Sequence, residues 1–277
     1  MQPDAAPAGS KCMRYPGKTL AAWLAALMLL SCAPALAQAE GFRFQARKVP
    51  AGKVLHYVKT QLDGSHEARV SVYVASAERI ESLKWDRGGD RATLVVALMD
   101  WRRYSVSRFE SWQLAGNADP ALRATLDVNG NELRASFMNQ PLTLGHWPWH
   151  SYDFDFTSLN LALPHRADPR RDVSFWRTDF VYGDSPRMAE LGEVRLSFQA
   201  RDSRLGRAAW RYGLGGAGLG EHRGTWWVDR RSGLTLEYQL PVGDEPGYDS
   251  VRFRLDGIGR MTADQWRAFK AAAVSGS

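Results

Sequence analysis

The segment Gly145–Phe156 (GHWPWHSYDFDF) holds the densest group of side chains that could do chemistry. Imidazole and carboxylate groups are the types that bind zinc or carry protons in a hydrolase. The four that form this polar set are His146, His150, Asp153 and Asp155. Pro148 disfavours the helix that would align the two histidines, and no recognised ligand spacing is met. We therefore predict no metal ion and assign no catalytic residue, and the set stays as an alternative polar site.

The two carboxylates of this segment alternate with Phe154 and Phe156. Such alternation predicts a strand that places Asp153 and Asp155 on one face, about 6.6 Å apart. That distance is near the separation used by inverting glycosidases, but neighbours on one strand approach a glycosidic bond from the same side. A solvated strand face is the expected structure here.

Aromatic residues are frequent, and 11 of the 277 residues are tryptophan. Several stand in turn-rich stretches, where a curved sheet would open. Tryptophan combines a wide apolar face with a polar N–H, so such a position suits a sugar ring or a lipid chain. The residues expected to contact a ligand at the rim are Trp147, Trp149, Tyr152, Trp226 and Trp227.

Residues 213–218 (GLGGAG) match the G-x-G-x-x-G pattern in letters only. A dinucleotide site needs a buried strand before the glycines and a helix after them, and Glu221–Trp226 leads instead into a strand. No G-x-S-x-G motif occurs, so no serine triad is indicated. We predict no cofactor.

Period-two alternation recurs along the chain at intervals of about ten residues, which predicts antiparallel strands. Leu122–Val128 alternates, Asn129-Gly130 supplies turn residues, and Leu133–Phe137 returns, which predicts a hairpin. Thr93–Met99 is apolar on both faces and suits a central strand. Near Arg108-Phe109 the alternation slips by one residue, as a β-bulge would cause.

One helix is predicted after the leader. Thr262 and Gln265 form a capping box, and Trp266 and Phe269 lie on one face of the helix predicted over 263–272. The fold class predicted is therefore all-β: a curved antiparallel sheet, half-barrel or barrel-like sandwich, with one short C-terminal helix. Residues 164–171 (PHRADPRR) are expected to form a long loop or a seam.

The stretch Gly224–Asp229 (GTWWVD), a turn ending at Gly233, and an alternating strand to Pro241 predict a second hairpin. This pattern resembles one found in uncharacterised bacterial periplasmic half-barrel β-proteins, which are similar in architecture to lipoprotein carriers and lipocalins. The resemblance covers about the last third of the chain. It implies a curved sheet with a concave apolar face and carries no catalytic residue.

The N-terminus has the form of an export signal. Lys11, Arg14 and Lys18 precede an apolar run over residues 19–30, and Ala35-Leu36-Ala37 offers a cleavage site before Gln38. Residues 1–37 are thus predicted to be a signal peptide, and 38–277 a single antiparallel β domain in the periplasm. A competing interpretation is a lipoprotein anchored through Cys32.

The composition of the chain argues against some classes of binding partner. The net charge of +6 is spread along alternating strands and not gathered into a patch, which argues against nucleic acid. No apolar run of membrane length follows the leader, and both cysteines precede Gln38, so the mature chain would have no disulfide.

We expect an exported envelope protein that binds a lipid or glycolipid on the concave face. The sequence leaves open whether the protein is an enzyme. One alternative is an envelope glycan or lipid hydrolase that uses the His146–Asp155 segment. The other is a structural or assembly factor with envelope protein partners.

Overall fold

Fifteen strands form one curved sheet, as the alternation predicts. The computed structural model describes residues 41–86, 88–116, 118–181, 185–245 and 248–275. The predicted signal peptide and the alternative anchor at Cys32 lie outside these residues. The strands are β1 Lys53–Thr60, β2 Ala68–Val74, β3 Arg79–Asp86, β4 Arg91–Asp100, β5 Ser105–Ala115, β6 Ala118–Asn129, β7 Glu132–Ala135, β8 Leu142–Thr143, β9 Trp149–His150, β10 Val173–Val181, β11 Arg187–Arg204, β12 Arg207–Gly215, β13 Gly224–Asp229, β14 Thr235–Glu245 and β15 Tyr248–Arg260. The helices are α1 Thr157–Ala162 and α2 Ala263–Ala273.

Strands that follow one another in the chain pair with each other, except that β8 does not pair with β9 and that β1 pairs with β15. All described pairs are antiparallel apart from the short parallel pair of β9 with β10. The two edges of the sheet are therefore β8 and β9, strands of two residues each. Only residues 144–148 join them, and such a link spans roughly 20 Å at most. Both edges must lie close together, so the sheet curls strongly around one inner face.

Both predicted hairpins are confirmed. In the first, Asn129 pairs with Glu132, so Gly130 and Asn131 are the central turn residues, one position later than the sequence suggested. Gly130 takes the positive φ of +60° that a tight hairpin turn needs. The predicted bulge is also present, since Leu98 pairs with Arg108 and Met99 with Val106.

The geometry of the turn in the second hairpin explains why Asp229 and Gly233 occupy their positions. The Asp229 carboxylate accepts hydrogen bonds from the backbone N–H of Arg231 at 2.9 Å and of Ser232 at 2.7 Å. Gly233 has φ +76°, and a Cβ there would lie 2.6 Å from Cα of Pro164. Asp229 and Gly233 are thus needed for the turn itself, which accounts for both without a binding role.

Strand β4 is apolar on both faces because each face contributes side chains to a core. Ala97 and Met99 belong to the main core on the inner face, while Leu94 belongs to a second core under α2 on the outer face. Helix α2 begins at the predicted capping box, with the Thr262 hydroxyl accepting from N–H of Gln265. It covers the outer face of β1–β5 through Trp266.

The inner face is filled by the chain itself. Between β9 and β10, residues 154–166 are all buried and include the short helix α1, which the sequence analysis missed. The strand expected over 153–156 is wrong, because Asp155 and Phe156 both have φ +48° and the chain turns there. We call residues 144–166 the inner segment. The concave face thus packs against this segment.

The predicted seam at 164–171 begins inside that segment, where Leu163–His165 forms a buried 3₁₀ turn. Residues from Gln38 onward form one compact unit. Among the described residues, no helix combines the length and apolarity needed to cross a membrane.

Candidate functional site

The aromatic residues expected at an accessible rim lie mostly in the interior. Trp149 and Tyr152 are 1% exposed and Trp226 is fully buried, so these rim positions were wrong. Trp226 stacks on Tyr238 at 4.5 Å and, like Tyr152, contacts the Phe156 ring. Their rings pack the inner segment against the sheet, which is the ordinary role of large aromatic side chains.

The other two tryptophans lie apart from this cluster. Trp227 occupies the opposite face of β13, where the guanidinium of Arg204 covers its ring at 4.5 Å and its Nε1–H donates to Asp202 at 3.0 Å. Trp147 is half-buried, with Arg103 at 4.1 Å from its ring. Trp147 lines a cavity of about 550 Å³.

The polar set of the same segment is dispersed. His146 is exposed and stacks on Trp176 at 3.5 Å, whereas His150 is fully buried. Asp153 accepts a hydrogen bond from N–H of Phe180 at 3.0 Å. Asp155 is buried in an ion pair with Lys59 at 2.8 Å. Within the described ranges, no three His, Cys, Asp or Glu residues converge as a metal site would require.

A serine–histidine contact does occur, but deep inside. Nδ1 of His150 lies 2.8 Å from the Ser158 hydroxyl, and both side chains are buried. Burial lowers the pKa of His150 to about 3, so the imidazole is neutral at physiological pH. A nucleophile needs a base and room for its substrate, and this pair has no such room. We interpret it as a structural hydrogen bond.

A cavity with an apolar floor lies on the outer face, beside α2. We call it the outer groove; it measures about 510 Å³, within the range of small-molecule sites. Its floor comes from β4 and β5 and includes Leu94, Val96, Trp112 and Leu114. One wall is α2 and the other is the start of β6, with Pro120.

The floor changes from charged to apolar along the strands. The register sets Arg79, Leu98 and Arg108 in one row across β3, β4 and β5. Further rows along the same face are Glu81–Val96–Glu110, then Leu83–Leu94–Trp112, then Trp85–Ala92–Leu114. Rows of one face repeat every two residues, so these four span about 20 Å.

Side chains at the C-terminal end of α2 also change from charged to apolar in the same direction as the floor. Lys270 reaches the charged rows, where its Nζ lies 2.8 Å from the Glu81 carboxylate. Val274 lies at the apolar end, beside Gly116, whose Cβ position would be 2.7 Å from the carbonyl of Val274. Leu122, 48% exposed, pairs with Trp112 and extends the apolar surface onto β6.

At the charged end of the groove, the Glu81 carboxylate accepts hydrogen bonds from three side chains. Burial acts to raise its pKa, but hydrogen bonds from Lys270 and Trp266 outweigh this and hold the pKa below its usual value. The carboxylate also accepts from Arg79 at 3.1 Å. Three cations, Arg79, Arg267 and Lys270, line the groove against the two carboxylates Glu81 and Glu110.

This groove was not predicted from the sequence. A signal was present, because Thr93–Met99 is apolar on both faces and α2 offers only one narrow apolar stripe. A helix of 11 residues cannot cover the outer face of a strand pair along its whole length, which leaves a partly open apolar floor.

No protein-family model matches the chain, and no curated protein matches its sequence.

Proposed function

We propose that this chain is an exported cell-envelope protein that binds an amphipathic ligand of the lipid or glycolipid class in the outer groove. The observation that carries the proposal is the change from charged to apolar rows along one continuous floor. An acyl chain would lie over Leu94, Trp112 and Leu114, where apolar area is removed from water. An anionic headgroup would lie near Lys270 and Arg79.

The ligand class is the one predicted from the sequence, but the proposed site is the outer groove and not the concave inner face. The inner face is occupied by residues 144–166. The outer groove combines accessibility with an apolar floor and a short row of charged side chains, the usual composition of a small-molecule site.

The test uses displacement of a fluorescent polyene fatty acid by dodecanoate. Leu114→Asp should weaken dodecanoate binding at least tenfold, because it puts a charge where the acyl chain would lie, and tenfold corresponds to about 1.4 kcal/mol. Leu205→Asp is the matched control, since Leu205 is 41% exposed and lies in the β11–β12 turn. Equal affinities of the two variants, or no binding by the unaltered protein, would refute the proposal.

A second comparison tests the headgroup. Lys270→Gln should weaken dodecanoate several-fold and leave dodecanol unchanged, because only the carboxylate gains from the ammonium. A parallel loss for both ligands would show that Lys270 acts only through the fold.

A further inference from the structure

A second cavity, of about 550 Å³, lies beside Trp147 and Pro148, which precede β9, and the start of β10. On one side residues 41–43 run antiparallel to the end of the inner segment, with N–H of Arg43 bonded to the carbonyl of His165 at 2.7 Å. The start of β10 and Trp147 form the rest of the lining. The outer groove and this cavity share no lining residue.

Arg166 is the unusual residue of this cavity. Its side chain is buried, with 7% of the residue exposed, and lies 5.3 Å from the ring of Tyr212. Its Nη2 donates to the backbone carbonyls of Asp168 and Arg171. Its Nη1 is also buried, yet has no acceptor within the described part of the chain. An unsatisfied buried donor on a charged group is costly, so an acceptor is expected there.

The acidic residues of the lining are engaged elsewhere. The Asp168 carboxylate accepts from the backbone N–H of Arg170 at 2.9 Å, and Asp172 accepts from N–H of Phe198 at 3.0 Å. Burial lowers the pKa of Arg166, whereas its hydrogen bond with the Tyr212 hydroxyl and, more weakly, the two carboxylates act in the opposite direction. Among the described residues, neither forms an ion pair with Arg166.

A second hydrogen-bond donor of this cavity also needs an acceptor. The Nε1–H of Trp147 is buried and has no acceptor among the residues described. Trp147 lines the cavity together with Arg166 and with Arg171, which is exposed. Two donors that lack acceptors in one cavity call for a ligand that brings oxygen acceptors and negative charge.

We propose that this cavity binds the carboxylate of a sugar acid. A carboxylate oxygen can accept a charge-assisted hydrogen bond from Nη1 of Arg166, whose Nη2 already donates to two backbone carbonyls, and a carboxylate carries a single negative charge. Asp168 and Asp172 would repel a dianionic phosphate more strongly, and they can accept hydrogen bonds from sugar hydroxyls. The Trp147 and Phe42 side chains supply apolar contact for the ring.

The test is titration of the purified protein with glucuronate, glucose and inorganic phosphate, followed by calorimetry and by the indole N–H resonance of Trp147. That resonance is identified by its loss in Trp147→Phe. Glucuronate should bind and shift it, whereas glucose and phosphate should bind at least tenfold more weakly. Trp147→Phe removes one donor and keeps an aromatic ring, and should weaken glucuronate several-fold. Arg166→Met should abolish binding.

The control is Arg102→Met, because Arg102 is exposed and lies outside the lining. It should bind glucuronate like the unaltered protein. Equal binding of glucose, tighter binding of phosphate, no binding of glucuronate, or an unchanged affinity in Trp147→Phe would each overturn the proposal. Trp147→Phe tests the proposal even if Arg166→Met fails to fold.

Discussion

Phe156→Ala should lower the free energy of unfolding by about 3–5 kcal/mol, the loss typical of a buried phenylalanine. Phe156 is fully buried and its ring contacts Tyr152, Phe175, Trp226 and Tyr238. It is therefore the central contact between the inner segment and the sheet. Urea denaturation followed by far-UV circular dichroism measures the change.

The matched control is Phe44→Ala, because Phe44 is 38% exposed and contacts only Trp101 and His165 among the aromatic rings described. Its replacement should cost less than about 1.5 kcal/mol, since little area returns to water. Similar losses for the two variants would show that the inner segment is not a firm part of the core.

Acidification from pH 7 to pH 5 should destabilise the folded protein by about 3–4 kcal/mol, from two buried histidines. Burial lowers the pKa of His150 to about 3, and burial with nearby Lys48 lowers the pKa of His165 to about 4. In the unfolded chain both titrate near 6.5, so the unfolded state takes up protons first as the pH falls. The stabilisation is complete above about pH 7 and is lost progressively below it.

Replacement of His150 measures how much this histidine contributes to the loss of stability at low pH. His150→Gln keeps a polar side chain for Ser158 and cannot titrate, so its stability should fall about half as steeply between pH 7 and pH 5. Urea midpoints at pH 7, 6 and 5 give the comparison. An unchanged pH dependence in this variant would show that His150 is not buried as described.

The sequence predicts the outer parts of the fold well because their signals are local. The β6–β7 hairpin follows from alternation around Asn129-Gly130, and α2 begins at the capping box of Thr262 and Gln265. Each of these features depends on residues within one or two elements.

The inner segment could not be predicted in this way. Asp153–Phe156 alternates like a strand, but Asp155 is held by Lys59 of β1 and Phe156 by rings of β10, β13 and β14. These contacts join residues about 20 to 100 positions apart, and they outweigh the cost of two successive left-handed backbone conformations. Local alternation contains no information about such partners.

The same limit applies to the candidate sites. Turn-rich surroundings suggested that Trp149 and Trp226 border an opening, but the inner segment covers them. The outer groove depends on the register of β3, β4 and β5 and on where α2 lies across them. Only that juxtaposition brings Lys270 to the charged end and Val274 to the apolar end.

The most direct test of the proposed function is photolabelling with a fatty acid that carries a diazirine near its methyl end, followed by peptide mapping. We expect the label on β4, β5 and α2, on peptides that contain Leu94, Trp112, Leu114 or Val274. Excess dodecanoate should suppress it. Label concentrated on residues 144–166 or 224–240 would place the ligand on the inner face and contradict the account.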